Sequence, residues 1–136
     1  MFTKNAKVEL LKQVPLFSDC SRRELSEIAT ITDEFHFPAG RALMTEGDAG
    51  KEFVVVVDGT VEIRRGGRRI PLKGGANFFG ETALLTGTPR NATVTTTSPV
   101  RALVITGRSF GRLLADSPGI QRKILVSLAA RLPDAH

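Results

Sequence analysis

Apolar residues near the start of the chain recur at helical spacing. Val8, Leu11 and Val14 fall on one face with Leu10 beside them, which predicts a short helix, and Pro15 stops it. Ser21-Arg22-Arg23-Glu24 has the form of a capping box, with Ser21 as N-cap and Glu24 reaching back to its N–H. Leu25 and Ile28 give that second helix its apolar face. From Ile31 the period shortens. Phe35-His36-Phe37 is extended, Pro38-Ala39-Gly40 turns, and Arg41 to Thr45 is a strand closed by Glu46-Gly47-Asp48. Phe53 to Val57 is β-branched almost throughout, as in a buried strand. Asp58-Gly59 predicts a type I′ hairpin, with Thr60 to Arg65 pairing back. Gly66-Gly67 predicts a second hairpin, leading into Arg68 to Leu72. Val94 to Thr97 and Val100 to Ile105 are further strands, parted by Ser98-Pro99.

After Gly107 the helical period returns. Ser109 to Ala115 is one short helix. Ser117-Pro118 opens another, with Ser as N-cap and Pro at the first helical position. Ile120, Ile124, Leu125, Leu128 and Leu132 form its apolar face. About eight short strands punctuated by turns predict a sandwich, jelly roll or barrel. The expected fold is therefore mainly β: an eight-stranded, jelly-roll-like β-roll between N-terminal and C-terminal helices. Residues 1–30 would hold the N-terminal helices, 31–106 the roll and 107–132 the C-terminal helices, in one domain spanning 1–136.

Composition narrows the function classes. A chain of 136 residues suits one domain, and 41% hydrophobic with 24% charged residues is globular usage. No apolar run approaches the ~20 residues of a membrane helix, and no signal-peptide core follows Met1, so a cytoplasmic protein is expected. One cysteine, Cys20, excludes an internal disulfide framework. Two histidines are too few for a clustered-ligand metal site of the cupin type. The net charge of +5 and pI near 10 favour an anionic partner without naming it.

The segment from Gly74 to Val94 carries the chemistry. Gly80 lets a backbone approach a ligand closely. Glu81 to Leu85 are mostly helix formers, so a short helix starting at Gly80 would aim its free N–H groups at an anion. Arg90 adds a permanent, forked positive charge suited to phosphate. Ala83 and Ala92 are small and leave room. Glu81 would repel a bare phosphate, and it makes sense when the ligand also offers a hydroxyl donor, as a ribose does. A phosphate cradle beside a ribose acceptor suggests a compact nucleotide.

Phe79-Gly80-Glu81-Thr82-Ala83-Leu84, a short spacer, then Pro89-Arg90-Asn91-Ala92-Thr93 resembles the phosphate-binding cassette of the cyclic-nucleotide-binding domain family. That family includes the catabolite activator protein, regulatory subunits of cyclic-AMP-dependent protein kinase, and bacterial cyclic-nucleotide-gated channels. Every fixed position of the pattern is matched. Phe37-Pro38-Ala39-Gly40, Glu46-Gly47-Asp48 and Asp58-Gly59-Thr60-Val61 fall where the family's roll has its glycine turns, so the likeness spans roughly residues 8 to 132. The resemblance implies that Arg90 pairs with the exocyclic phosphate oxygens and that Glu81 accepts from the ribose 2′-OH. Phe79 and Gly80 open the cassette, and backbone N–H groups of Thr82, Ala83 and Ala92 complete the cradle. It places Ile63, Leu128 and Arg131 toward the base, the last two on a C-terminal lid helix. Asn91 departs from the Ala, Ser or Thr usual in relatives. It offers both a donor and an acceptor, which leaves the base open between adenine, the favoured one, and guanine.

The implied function is a non-catalytic sensor of cyclic AMP or cyclic GMP with an unknown effector, acting as a monomer or weak homodimer. The alternatives are a regulatory fragment of a larger protein and a relative that no longer binds nucleotide. A DNA-binding regulator needs a helix-turn-helix beyond Leu132, so that function is not expected unless this chain is part of a longer one. An enzyme needs a nucleophile–base pair, an acid–base pair or a metal cluster, and no such group stands out. Arg64-Arg65-Gly66-Gly67-Arg68-Arg69 is the densest basic run. It lacks the interleaved aromatics that stack on bases, so a solvated hairpin tip is the simpler reading.

Overall fold

The computed structural model describes residues 1–71, 78–80 and 89–131. These form two compact units, one of Asp33–Gly107 and one of the N-terminal 32 residues with the chain from Arg108 onward.

The first unit is the β-roll. Its strands are β1 (Thr32–Phe37), β2 (Ala42–Met44), β3 (Glu52–Asp58), β4 (Val61–Arg65), β5 (Arg68–Ile70), β6 (Phe78–Phe79), β7 (Thr93–Thr96) and β8 (Val100–Thr106). They make two four-stranded sheets, ordered β1-β8-β3-β6 and β2-β7-β4-β5. The core cluster joins Val54 and Val56 of β3 with Ala102 and Val104 of β8, and with Met44, Val61 and Val94 of the other sheet. Side chains alternate along a strand, so Phe53, Val55, Leu103 and Ile105 lie on the opposite face of β3 and β8. They are buried too. Burial on both faces is why Phe53 to Val57 reads as an unbroken apolar run.

Two turns separate a hairpin from a corner. Gly66 and Gly67 both have positive φ, 58° and 78°, and Arg65 faces Arg68 across them, the two-residue hairpin expected. Asp58-Gly59 is different. Gly59 has φ 100°, but among the described residues no non-glycine has positive φ, so Asp58-Gly59 does not form a type I′ turn. β3 pairs with β6 and β8, and β4 pairs with β5 and β7. Thr60 to Arg65 therefore does not pair back on β3. The turn is a corner that carries the chain from one sheet to the other, and Gly59 is required because a Cβ there would run into the Pro99 carbonyl and Val100. A short strand, β6, also lies inside the segment from Gly74 to Val94, where no strand was expected, with Val54 opposite Phe79 and Val55 opposite Phe78. The expected helix over Glu81 to Leu85 falls outside the described residues.

The second unit is helical. It contains α1 (Lys4–Lys12), a 3-10 turn (Pro15–Phe17), α2 (Arg22–Thr30), α3 (Gly107–Asp116, from Arg108 onward) and α4 (Pro118–Arg131). The predicted capping box is present: Glu24 N–H donates to Ser21 Oγ at 3.2 Å and Ser21 N–H to Glu24 Oε1 at 2.8 Å. Val8, Leu11, Leu16, Phe17, Leu25, Ile28, Phe110, Ile120 and Ile124 are among its buried side chains, with the Phe17 and Phe110 rings 6.2 Å apart. Leu125 does not join that core. It is 60% exposed, and Ser127 takes the inward position instead, its hydroxyl donating to the Pro15 carbonyl at 2.9 Å. Ser117 donates its hydroxyl to Glu27 at 3.2 Å. Lys123 pairs with Glu24. Among the described residues no helix is long and apolar enough to cross a membrane.

Candidate phosphate site around Arg90

Arg90 sits where two turns of the roll meet. Its N–H donates to the Asp48 carbonyl at 2.9 Å, and its carbonyl accepts from Gly47 N–H at 2.8 Å. This two-way exchange fixes the Arg90 backbone against the turn that follows β2. Glu46 of that turn adds to the brace, because its N–H donates at 3.0 Å to Oγ1 of Thr93, three residues past Arg90. The positive φ of Gly47, 88°, lets the turn close there.

The side chain then runs inward and is only 3% exposed. Nη2 donates to the Glu52 carbonyl at 2.9 Å and to Glu52 Oε2 at 3.2 Å. Nη1 is buried and finds no acceptor among the described residues. Gly80 and Gly50 make the space. A Cβ on Gly80 would lie 2.5 Å from Nη1 and would also strike the Glu52 carbonyl, while one on Gly50 would lie 2.8 Å from Nε. The open side of Gly80 is thus filled by the protein's own guanidinium. Its φ of 92° is a second reason for glycine. A guanidinium is always charged in proteins. A buried donor without a partner costs roughly 1–3 kcal/mol, more when charged, and an acceptor placed at Nη1 would remove that cost.

The neighbouring candidates divide. Phe79 is half-buried on β6 and packs on the roll core. Ala92 is buried. Asn91 is exposed, and its backbone carbonyl accepts from Arg65 Nε at 3.0 Å. Gly66 N–H in turn donates to Glu46 Oε1 at 3.0 Å, so the arginine-rich hairpin is tied to both segments that brace Arg90. Ile63 is half-buried at the edge of the core cluster, facing Val94 and Ile70. Leu128 is half-buried on α4 in the helical unit, and Arg131 is the last residue of that helix. Glu81, Thr82 and Ala83 lie outside the described residues.

Four contributors take a role that a reading of the sequence misses. Glu52 touches Arg90 across 38 residues of chain, and a lone carboxylate at a strand start carries no motif. Asp48 and Gly47 act through backbone groups, which any residue possesses. Gly50 is visible only as one glycine in a loop. Among the described residues no group of His, Cys, Asp or Glu is placed to hold a metal ion.

The chain matches the family described as "Cyclic nucleotide-binding domain" over residues 34–117. It is 34% identical to a cAMP-dependent protein kinase regulatory subunit of Mycosarcoma maydis over 82% of this chain and 23% of that protein. It is also 34% identical to a putative potassium channel protein of Rhodopseudomonas palustris over 85% of this chain and 29% of that one. The chain therefore spans less than a third of the length of these relatives. Among solved structures it is similar to the N-terminal domain of a transcriptional regulator from Streptomyces coelicolor, with a TM-score of 0.79 at 28% identity, covering 90% of this chain and 89% of that one. The catabolite activator protein of Thermus thermophilus gives 0.70 at 25% identity, covering 86% and 57%.

Proposed function

Because the chain belongs to the cyclic nucleotide-binding domain family, we propose that it is a non-catalytic sensor of a cyclic mononucleotide, cyclic AMP in preference to cyclic GMP. The observation that carries this reading is the buried Arg90 guanidinium, with one amino group anchored and the other, Nη1, left without an acceptor among the described residues. The exocyclic phosphate oxygens take that amino group in a charge-assisted hydrogen bond. Glu81 accepts from the ribose 2′-OH, and Gly80, Thr82, Ala83 and Ala92 line the phosphate with backbone. Phe79 backs the cassette from β6. Ile63 meets the base from the roll, and Leu128 and Arg131 meet it from α4, which closes as a lid. Asn91, exposed beside the arginine, contributes to the choice of base.

Residues 1–136 act in this reading as one binding domain, and the output belongs to an effector protein or to further parts of a longer chain. A ligand shifts a conformational equilibrium only by its differential affinity for the two states. A hydrogen bond to a charged group contributes roughly 1.5–3 kcal/mol, so two or three phosphate contacts suffice for a large shift.

Calorimetric titration with cyclic AMP, cyclic GMP and a cyclic dinucleotide tests the reading. Saturable binding of cyclic AMP is expected, with weaker cyclic GMP binding and none of the dinucleotide. Arg90→Ala should weaken binding tenfold or more. Absence of binding to every mononucleotide overturns the function, and unchanged affinity in Arg90→Ala overturns the site. Incubation with cyclic AMP should release no linear AMP.

A further inference from the structure

Arg90 Nη2 meets two oxygens of a single residue, and the two differ in kind. The Glu52 carbonyl, at 2.9 Å, is fixed by the strand: Glu52 lies opposite Thr106 in the β3–β8 ladder. The neighbouring Lys51 carbonyl accepts from Gly107 N–H at 2.8 Å. The carboxylate, at 3.2 Å, is not fixed in this way. The Glu52 side chain is 53% exposed while that of Arg90 is 3% exposed, so the carboxylate reaches in from water to a buried cation. Backbone and side chain therefore do separate work. The carbonyl aims the guanidinium, and the carboxylate neutralises it.

Resting on the phosphate-site reading above, we propose that the Glu52 carboxylate is the internal counter-anion of Arg90, which an incoming phosphate must compete with and displace. The guanidinium carries one charge shared over its nitrogens. With Glu52 paired at Nη2, a phosphate arriving at Nη1 meets a site whose local charge is already balanced and a carboxylate that repels it. Displacing that carboxylate is easy, because it is half in solvent and hydrates on leaving, whereas the carbonyl stays and keeps Nη1 aimed. Such an arrangement lowers affinity for every anion and weighs most on the more highly charged. Inorganic phosphate and sulfate carry about two negative charges near neutral pH, whereas a cyclic phosphodiester carries about one, so the carboxylate repels the former more strongly. Glu52 is thus a specificity-determining residue that acts by repulsion.

Glu52→Gln and Glu52→Ala both retain the carbonyl and remove the charge. In calorimetric titrations at low ionic strength, each should bind cyclic AMP about two- to fivefold more tightly than the unaltered chain, the scale of a partly exposed ion pair. The gain should shrink as salt is raised. Inorganic phosphate should gain at least as much, measured by its competition with cyclic AMP. If the unaltered chain binds and both variants bind equally or more weakly, Glu52 positions Arg90 and the proposal is overturned while the nucleotide reading stands. If only the variants bind, the proposal is upheld in its strongest form. If none of the three binds, the nucleotide reading fails and this inference with it. Thermal unfolding of each variant, run alongside, confirms that a loss of binding is not a loss of fold.

Discussion

Gly80→Ala separates the two reasons for glycine beside Arg90. The first is backbone conformation: at φ 92° an L side chain costs roughly 1–2 kcal/mol. The second is contact. The new Cβ would sit 2.5 Å from Arg90 Nη1 and against the Glu52 carbonyl, and that carbonyl belongs to β3 and has little freedom to give way. Overfilling a packed site costs typically about 1–3 kcal/mol. Gly40 supplies the control. Its φ is 83°, and a Cβ there meets nothing within 4 Å, so Gly40→Ala carries the conformational cost alone. Urea denaturation should then show Gly40→Ala about 1–2 kcal/mol less stable than the parent, and Gly80→Ala lower by a further ~1–3 kcal/mol. Nucleotide affinity should stay unchanged in the first variant and fall at least tenfold in the second, because the displaced guanidinium no longer aims Nη1. Equal destabilisation by the two substitutions, with equal binding, would refute the claim that Gly80 is reserved for Arg90.

Arg90→Met replaces the guanidinium by an apolar chain of similar length and leaves the half-exposed Glu52 carboxylate free to hydrate. Without nucleotide its stability should hold within about 1 kcal/mol or rise, while the rise in melting temperature caused by cyclic AMP disappears; a large loss of stability without ligand would make Arg90 a structural residue. The Glu24 carboxyl is held below its ordinary value of 4.5, first by Lys123 and then by the Ser21 cap. Its contribution to stability is therefore complete above that value and is lost as pH falls through the lowered one. The stability gap between the parent and Glu24→Gln should accordingly be constant near neutrality and close on acidification below about pH 4, as read by denaturation at stepped pH. Burial pushes the Cys20 thiol up to about 11, with Glu24 adding to the shift. Alkylation at pH 8 should be far slower than for a free thiol and should accelerate only as pH nears that value; rapid labelling at pH 8 would contradict the burial.

The elements legible from the chain were those whose signal is local. A capping box satisfies two orphan donors within four residues, and Ser21 with Glu24 does so. Two consecutive glycines with positive φ define a hairpin by themselves, as at Gly66-Gly67. Asp58-Gly59 misleads because glycine after aspartate reports only that the chain turns. Whether the next strand pairs back or crosses to the other sheet is decided by β6 and β8 occupying both edges of β3. Phe78-Phe79 is too short for any period to appear. Leu125 follows the inward-facing Ile124, but one residue further on turns about 100° around the helix, and the buried face runs through Ile120, Ile124 and Ser127 while Leu125 is exposed. The same division runs through the candidate site. Arg90 is marked by a motif, whereas Glu52, Gly50 and the Gly47–Asp48 brace take their meaning from a fold that brings distant segments together.

That brace explains how a buried cation is tolerated before any ligand arrives. The Arg90 backbone is held by paired hydrogen bonds to Gly47 and Asp48, which fix where the side chain starts, and the Glu52 carbonyl and carboxylate hold the guanidinium at its far end. One amino group is then satisfied by a carbonyl of β3, at a strand end whose pairing with β8 runs the length of the sheet. The stability of the roll thus holds Nη1 in an unfavourable place, and the unfavourable term is local and of the order of 1–3 kcal/mol. A ligand that satisfies Nη1 recovers this amount in addition to its own contacts. On the proposed reading, binding energy concentrates at the atom that the fold leaves incomplete, and removing the carboxylate of Glu52 should change how readily an anion reaches it.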